Sequence, residues 1–316
     1  MWLYRFLLAV LGGSCLVILS AALTRTAASV APAAPAPAEV PAVAAAPAPV
    51  ADAGAEHALE QALDALRADR VSWLEMAIWQ KVQLPGYVYE ADGLYRLAPG
   101  HRFRLEMHTH MGEAEGTLLM VSDGRESWQA VRSGEGPWEN VTRLNLSEVF
   151  AVMSGPSESV LHEEFFLRPH FQGITPLLRS LRSRLVWARG ETIRKAGGEQ
   201  LRLVGVWSQE DSARFAPADK PWPVGLPRQC LLYLDSHTFW PQRVEWWGPS
   251  AAGGVDHLLV QMEFRNPIVN HPLAADLCER LFAFHPGDAS VEDETESVTA
   301  DLTKRALELA AEKTAR

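Results

Sequence analysis

The chain is short of positive charge. Its 316 residues carry 29 Lys and Arg against 39 Asp and Glu, a formal net charge of −10. A nucleic-acid partner requires a basic face, so that class is excluded as an expectation. General adhesion to anionic membrane surfaces is disfavoured on the same ground. Cysteine is scarce as well, with 3 residues in the whole chain. A small disulfide scaffold is therefore excluded, although Cys230 and Cys278 remain open as a single pair in an oxidising compartment. No Gly-rich phosphate loop is present. Ser122 and Ser154 sit in no nucleophile-elbow context. His162-Glu163-Glu164 lacks the second His of a zinc-protease helix and reads as a solvated helix face. His108 and His110 share one strand face at a spacing that suits metal, but Arg102 and Arg104 on that face repel a cation. The expectation is a non-enzymatic protein without cofactor or metal.

What is present is apolar and aromatic. Hydrophobic residues make up 47% and charged residues 22%, the balance of a folded globular chain. At the N-terminus, Arg5 precedes a charge-free apolar run from Phe6 to Leu23, and small residues follow. Residues 1–29 thus read as a secretory signal or an uncleaved membrane anchor. Cys15 after Gly-Gly-Ser is a weak match to a lipoprotein processing site, because more apolar sequence follows it. Residues 30–55 are Ala/Pro-rich, favour polyproline II and cannot build a core. At ~3.1 Å per residue they form a tether reaching roughly 75 Å. The expected location is the periplasm or cell envelope.

Folded sequence occupies residues 56–297. Glu56–Arg70 has helical spacing in Leu59, Leu63 and Leu66, and a period of two follows from Leu74 to Leu84. Pro85-Gly86 marks a turn. Asp92-Gly93 predicts a second hairpin, between strands at 87–91 and 94–97. In 102–110, Phe103, Leu105 and Met107 alternate with charged residues. A hairpin around Ser122-Asp123-Gly124-Arg125 joins 116–121 to 126–131. Ser147, Ser157 and Thr175 are expected to cap three short helices in the middle of the chain. Strands resume at 185–193 and 200–207, and the proline-rich stretch 209–227 reads as a loop. Leu231–Trp247 is a hairpin turning at Asp235-Ser236-His237, with Val244 and Trp246 on its dry face. In 255–265, Leu258, Val260, Met262 and Phe264 are expected to face in. Residues 298–316 read as a C-terminal amphipathic helix. Asn140-Val141-Thr142 and Asn145-Leu146-Ser147 match glycosylation acceptors, which matter only in a secretory eukaryote. The fold class is mainly β (α+β): about ten antiparallel strands under a helical lid.

The order of motifs resembles the LolA-like superfamily of envelope lipoprotein carriers. It is carried by Ile78-Trp79-Gln80-Lys81-Val82, then Gly93-Leu94-Tyr95 with Pro99 and Arg102-Phe103-Arg104. Next come Val121-Ser122-Asp123-Gly124 with Trp128, then Leu234-Asp235 with Thr238, Pro241 and Arg243, and finally Leu281-Phe282-Ala283-Phe284-His285-Pro286. The resemblance implies an incomplete antiparallel barrel closed by a helical lid, with a concave apolar face that holds acyl chains. Lipoprotein or lipid acyl chains are then the expected partners, and envelope membrane proteins a second class through the same scaffold. Candidate lining residues are Met76, Leu105, Met107, Met120, Val244, Trp246, Val260, Met262 and Phe264. For any one of these residues plain core beneath helices is the favoured reading: the stripes say which face is dry, not what fills it.

Overall fold

The computed structural model describes residues 52–314, apart from 68, 85–86, 156–157, 167–172, 196–197, 218–219 and 250–254. The signal or anchor with Cys15, most of the Ala/Pro tether, the Pro85-Gly86 turn and the Ser157 cap lie outside the described residues.

Twelve strands form one open, curved sheet. In chain order they are β1 (Leu74–Leu84), β2 (Tyr87–Ala98), β3 (Arg102–Met111), β4 (Ala114–Asp123), β5 (Glu126–Ser133), β6 (Glu139–Asn145), β7 (Leu185–Lys195), β8 (Gly198–Trp207), β9 (Gln229–Asp235), β10 (Pro241–Pro249), β11 (Asp256–Val269) and β12 (Val291–Asp293). Their spatial order is β12-β6-β5-β4-β3-β2-β1-β11-β10-β9-β8-β7. Neighbours run antiparallel except β12, whose three residues pair in parallel with Val141, Thr142 and Arg143 of β6. Among the described residues, seven helices accompany the sheet: α1 (Ala53–Ala65), α2 (Leu146–Met153), α3 (Glu158–Phe166), α4 (Ile174–Arg184), α5 (Gln209–Phe215), α6 (Ala275–Phe282) and α7 (Thr295–Thr314). No helix among the described residues is long and apolar enough to cross a membrane.

Several boundaries differ from the sequence reading, each for a local reason. Helix α1 begins at Ala53 because Asp52 caps it, accepting from the Gly54 N–H at 2.8 Å. Asp52 also receives the Arg189 N–H and donates its own N–H to the Trp187 carbonyl, so it tacks the helix start onto edge strand β7. Asp92-Gly93 is not a hairpin. Strand β2 runs straight through it, with Gly93 opposite Ile78 on one side and Met107 on the other. A Cβ on Gly93 would lie 2.0 Å from the Glu106 carbonyl oxygen, so the glycine serves close strand approach, not a turn. Asn145, not Ser147, caps α2: its side-chain oxygen accepts from the N–H groups of Ser147 and Glu148. Helix α4 starts after Gly173 without a side-chain cap, and Thr175 lies inside it. The 209–227 stretch holds α5, capped by Ser208. Strand β11 carries a bulge opposite Trp246 and Trp247, so Leu259 enters the core in place of Leu258.

The main core lies between the inner face of the sheet and helices α1, α2, α3, α4 and α7. Alternation sets it. Phe103, Leu105 and Met107 of β3 pair with Ser122, Met120 and Leu118 of β4 on that face. The outer face is largely polar, laced by pairs such as Arg96–Glu75 at 2.6 Å and Arg104–Glu106 at 3.0 Å. It is not wholly bare, since α6 packs on β3 and β4 there, with Phe282 against Trp73 and Phe284 between Trp128 and Trp138. Cys230 and Cys278 are both free thiols, so the disulfide left open by the sequence does not form. Cys230 is in the inner core, and Cys278 is on α6 at the outer face, so the sheet separates them. Burial pushes the Cys230 thiol well above its ordinary pKa.

Candidate functional site

The helices reach the inner face from opposite edges of the sheet. Helices α1 and α4 pack on each other and on β7, while α2 and α7 pack on each other and reach β5 and β6. Helix α3 joins the second group through α2 and α7, and Arg305 grips Glu164 with three hydrogen bonds of 3.0 to 3.1 Å. Between the two groups, above the β2–β3 turn, is a cavity of about 1050 Å³.

Its floor is apolar and buried: Leu66 and Val71 follow α1, Tyr95 and Ala98 come from β2, and Phe103 opens β3. Gly173, just before α4, lies over the Tyr95 ring. A Cβ there would sit 2.4 Å from the tyrosine hydroxyl oxygen, and its φ of +146° suits glycine. Burial pushes the Tyr95 hydroxyl pKa up, so it stays neutral. The rim is polar, with Arg67, His101, Ser159, Arg179, Arg182 and Ser183 among its residues. Arg182 ties α4 to α1, reaching Glu60 at 2.8 Å and Glu56 at 3.3 Å. Asp64 is held by Arg70 at 2.7 Å and by Arg67 at 3.3 Å. His101, on the β2–β3 turn, lies 4.8 Å from the Phe150 ring of α2, and Phe150 stacks on His162 of α3 at 5.7 Å. Burial first, and the nearby His162 second, hold the His101 imidazole below its usual pKa.

Each of the nine predicted lining residues has a definite place. Met76, Leu105, Met107, Met120, Val244, Trp246, Val260 and Phe264 are all in the inner core, none more than 6% exposed. Met262 is partly buried against the same cluster. The sheet brings Val244 opposite Met262 and Trp246 opposite Val260. None of the nine lines the cavity over β2–β3. Phe264 instead borders a smaller groove of about 700 Å³ at the end of β9, β10 and β11. His108 and His110 point to the outer face, with His108 near Thr117 and Glu106, and His110 beside Asp92 and Glu115. The cavity residues escaped the sequence reading because they come from four separate stretches of chain. The one local hint was Pro99-Gly100, which places a turn beside Phe103.

No family model matches the chain. No curated protein matches it. Solved structures do match the chain in part, at low TM-score. The mycobacterial lipoprotein LppX from Mycobacterium tuberculosis is 16% identical, covering 70% of this chain and 97% of its own, with a TM-score of 0.36. A LolA superfamily protein from Nitrosomonas europaea is 12% identical, covering 75% and 99%, with a TM-score of 0.22. The Pseudomonas aeruginosa MucA/MucB complex gives 15% identity over 72% of this chain, with a TM-score of 0.34, and there the match spans 60% of that chain.

Proposed function

We propose that this chain is a non-enzymatic envelope protein that binds the acyl chain of a lipid or lipoprotein between its sheet and its helices, for sorting or transfer. The carrying observation is the cavity over the β2–β3 turn. Its volume of about 1050 Å³ suits a bulky guest, and Leu66, Val71, Tyr95 and Phe103 of its floor belong to the same apolar cluster as the inner face of the sheet. An acyl chain entering over Phe103 next reaches Leu105 and Met107 on the same strand face, then Met120 and Met76. Val244, Trp246, Val260, Met262 and Phe264 continue that face across the sheet and accept longer guests once the helices lift. Each methylene buried contributes ~0.8 kcal/mol before costs, so even a partly inserted chain is held. Methionines on the route allow repacking around guests of different shape. On this reading the N-terminal segment, cleaved as a signal or kept as an anchor, delivers the protein to the envelope.

Native mass spectrometry of the purified protein, followed by displacement of a fluorescent fatty-acid probe, tests this reading. An acyl-bearing ligand is expected to co-purify. Ser159→Trp, which fills the mouth from exposed helix surface, is expected to cut probe uptake about tenfold and to change folding stability by less than ~0.5 kcal/mol. Clean apo protein that displaces no probe sinks the proposal.

A second reading is a tethered module that binds an envelope protein. Its specific support is β7. Beyond the stretch tacked by Asp52, the outer edge of this strand meets no further strand among the described residues, and an extended partner segment pairs with such an edge. Crosslinking in membranes that recovers no protein partner removes this reading.

A further inference from the structure

We infer that the cavity mouth selects amphiphiles whose headgroup is anionic, with Arg179 as the residue that reads the charge. The inference rests on the acyl-chain reading above and names the ligand class it takes. The two carboxylates at the mouth are already committed. Asp64 is held by Arg70 and Arg67, and Glu56 by Arg182. Arg179, one helical turn from Arg182 on the exposed face of α4, lines the same mouth and has no partner among the described residues. The rim therefore presents an uncommitted guanidinium above a floor of Leu66, Tyr95 and Phe103. A guest with a hydrocarbon tail and a phosphate or carboxylate head satisfies both at once: the tail displaces water from the floor, and the head meets a planar cation made for oxyanions. The selectivity is local. The chain as a whole is acidic, with a net charge of −10, so charge beyond a Debye length is screened and the nearest arginine dominates. A zwitterionic headgroup gains less, because its cationic end has to remain near Arg179 and Arg67.

The test uses the full chain and two pyrene-labelled lipids with identical acyl chains, phosphatidylglycerol and phosphatidylcholine, offered from phosphatidylcholine vesicles. Uptake is read as pyrene monomer fluorescence. Phosphatidylglycerol is expected to be taken up about fivefold better at low salt, the size of a single exposed charge contact, with the gap closing at high salt. Arg179→Gln is expected to shrink the gap to within about twofold. Arg280→Gln, which removes an exposed pair with Asp276 on α6, is the control and leaves the gap intact. Equal uptake of the two lipids by the native chain overturns the headgroup inference and leaves the acyl-chain reading standing. So does a gap that persists in Arg179→Gln. Uptake of neither lipid removes the acyl-chain reading, and the inference with it.

Discussion

The middle of the inner face and the corner over the β2–β3 turn are built from the same residue types and end differently. In the middle, Met76, Met120 and Val260 of the sheet join Leu59 of α1 and Val149 of α2 in one cluster with almost no exposed surface. At the corner, Leu66, Tyr95 and Phe103 are just as apolar, yet a cavity stands above them. Hydrophobicity does not separate the two regions. Helix placement does: one group of helices is fixed to the β7 edge and the other reaches β5 and β6, and they meet over β2–β3 without closing. A dry strand face shows where a core belongs, while the seam between helix groups decides where it stays open.

The contrast breaks most visibly under truncation of the middle. Met120→Ala is expected to lower unfolding free energy by about 2–5 kcal/mol, measured by urea denaturation, because the packed surroundings relax only partly. If stability holds and probe uptake falls instead, the middle is a lining and the two regions are alike.

A second substitution sharpens the comparison through backbone. Gly93→Ala forces a methyl group toward the Glu106 carbonyl oxygen, which belongs to a central strand and has no room to retreat. A loss of about 2–3 kcal/mol in thermal or urea unfolding is expected. A neutral result would mean that β2 and β3 separate there more readily than their continuous register indicates.

That glycine also marks how far the sequence was legible. Alternation in Phe103, Leu105 and Met107 correctly assigned the strand and its dry side, because a period of two has one physical cause. Asp-Gly has two: it favours a hairpin turn, and its glycine also admits close strands, and only the neighbours Ile78 and Met107 decide between them. Leu258 and Leu259 were exchanged because a bulge is a property of a strand pair, invisible in one strand. Strand β12 was missed because its three exposed residues exist as a strand only through β6. The cavity was the least legible feature. Leu66, Tyr95 and Phe103 each look like core, and nothing in their local sequence reports that α3 stops short of the pair formed by α1 and α4.

The seam itself is tied by charge. Arg182→Ala removes the bridges from α4 to Glu56 and Glu60 on α1. These groups are substantially exposed, so a loss below ~1 kcal/mol in global stability is expected. Hydrogen exchange should still rise locally in α4, since a helix held at a rim opens before the core does. Unchanged exchange would show that apolar packing by Ile174, Leu178 and Leu181 alone fixes α4.

The smallest effect expected is a pH dependence at the same seam. His101 is the turn residue facing α2 and α3, and its neighbours there are Phe150 and His162, with Glu158 lying 3.8 Å from His162. Its imidazole pKa is lowered from 6.5 in the folded protein, chiefly by burial and then by His162. The unfolded or undocked turn therefore binds a proton more readily than the docked one. Docking is at full strength above the ordinary pKa of 6.5 and weakens as pH falls below it, because the protonated ring loses hydration on burial and is repelled by His162. Protection of the amides at Gly100 to Arg102, corrected for the intrinsic slowing of exchange with acid, is expected to fall between neutral and mildly acidic pH, while corrected protection in the packed middle does not change. His101→Gln should flatten that dependence at the corner. If the slope survives the substitution, His101 is not the group that sets it.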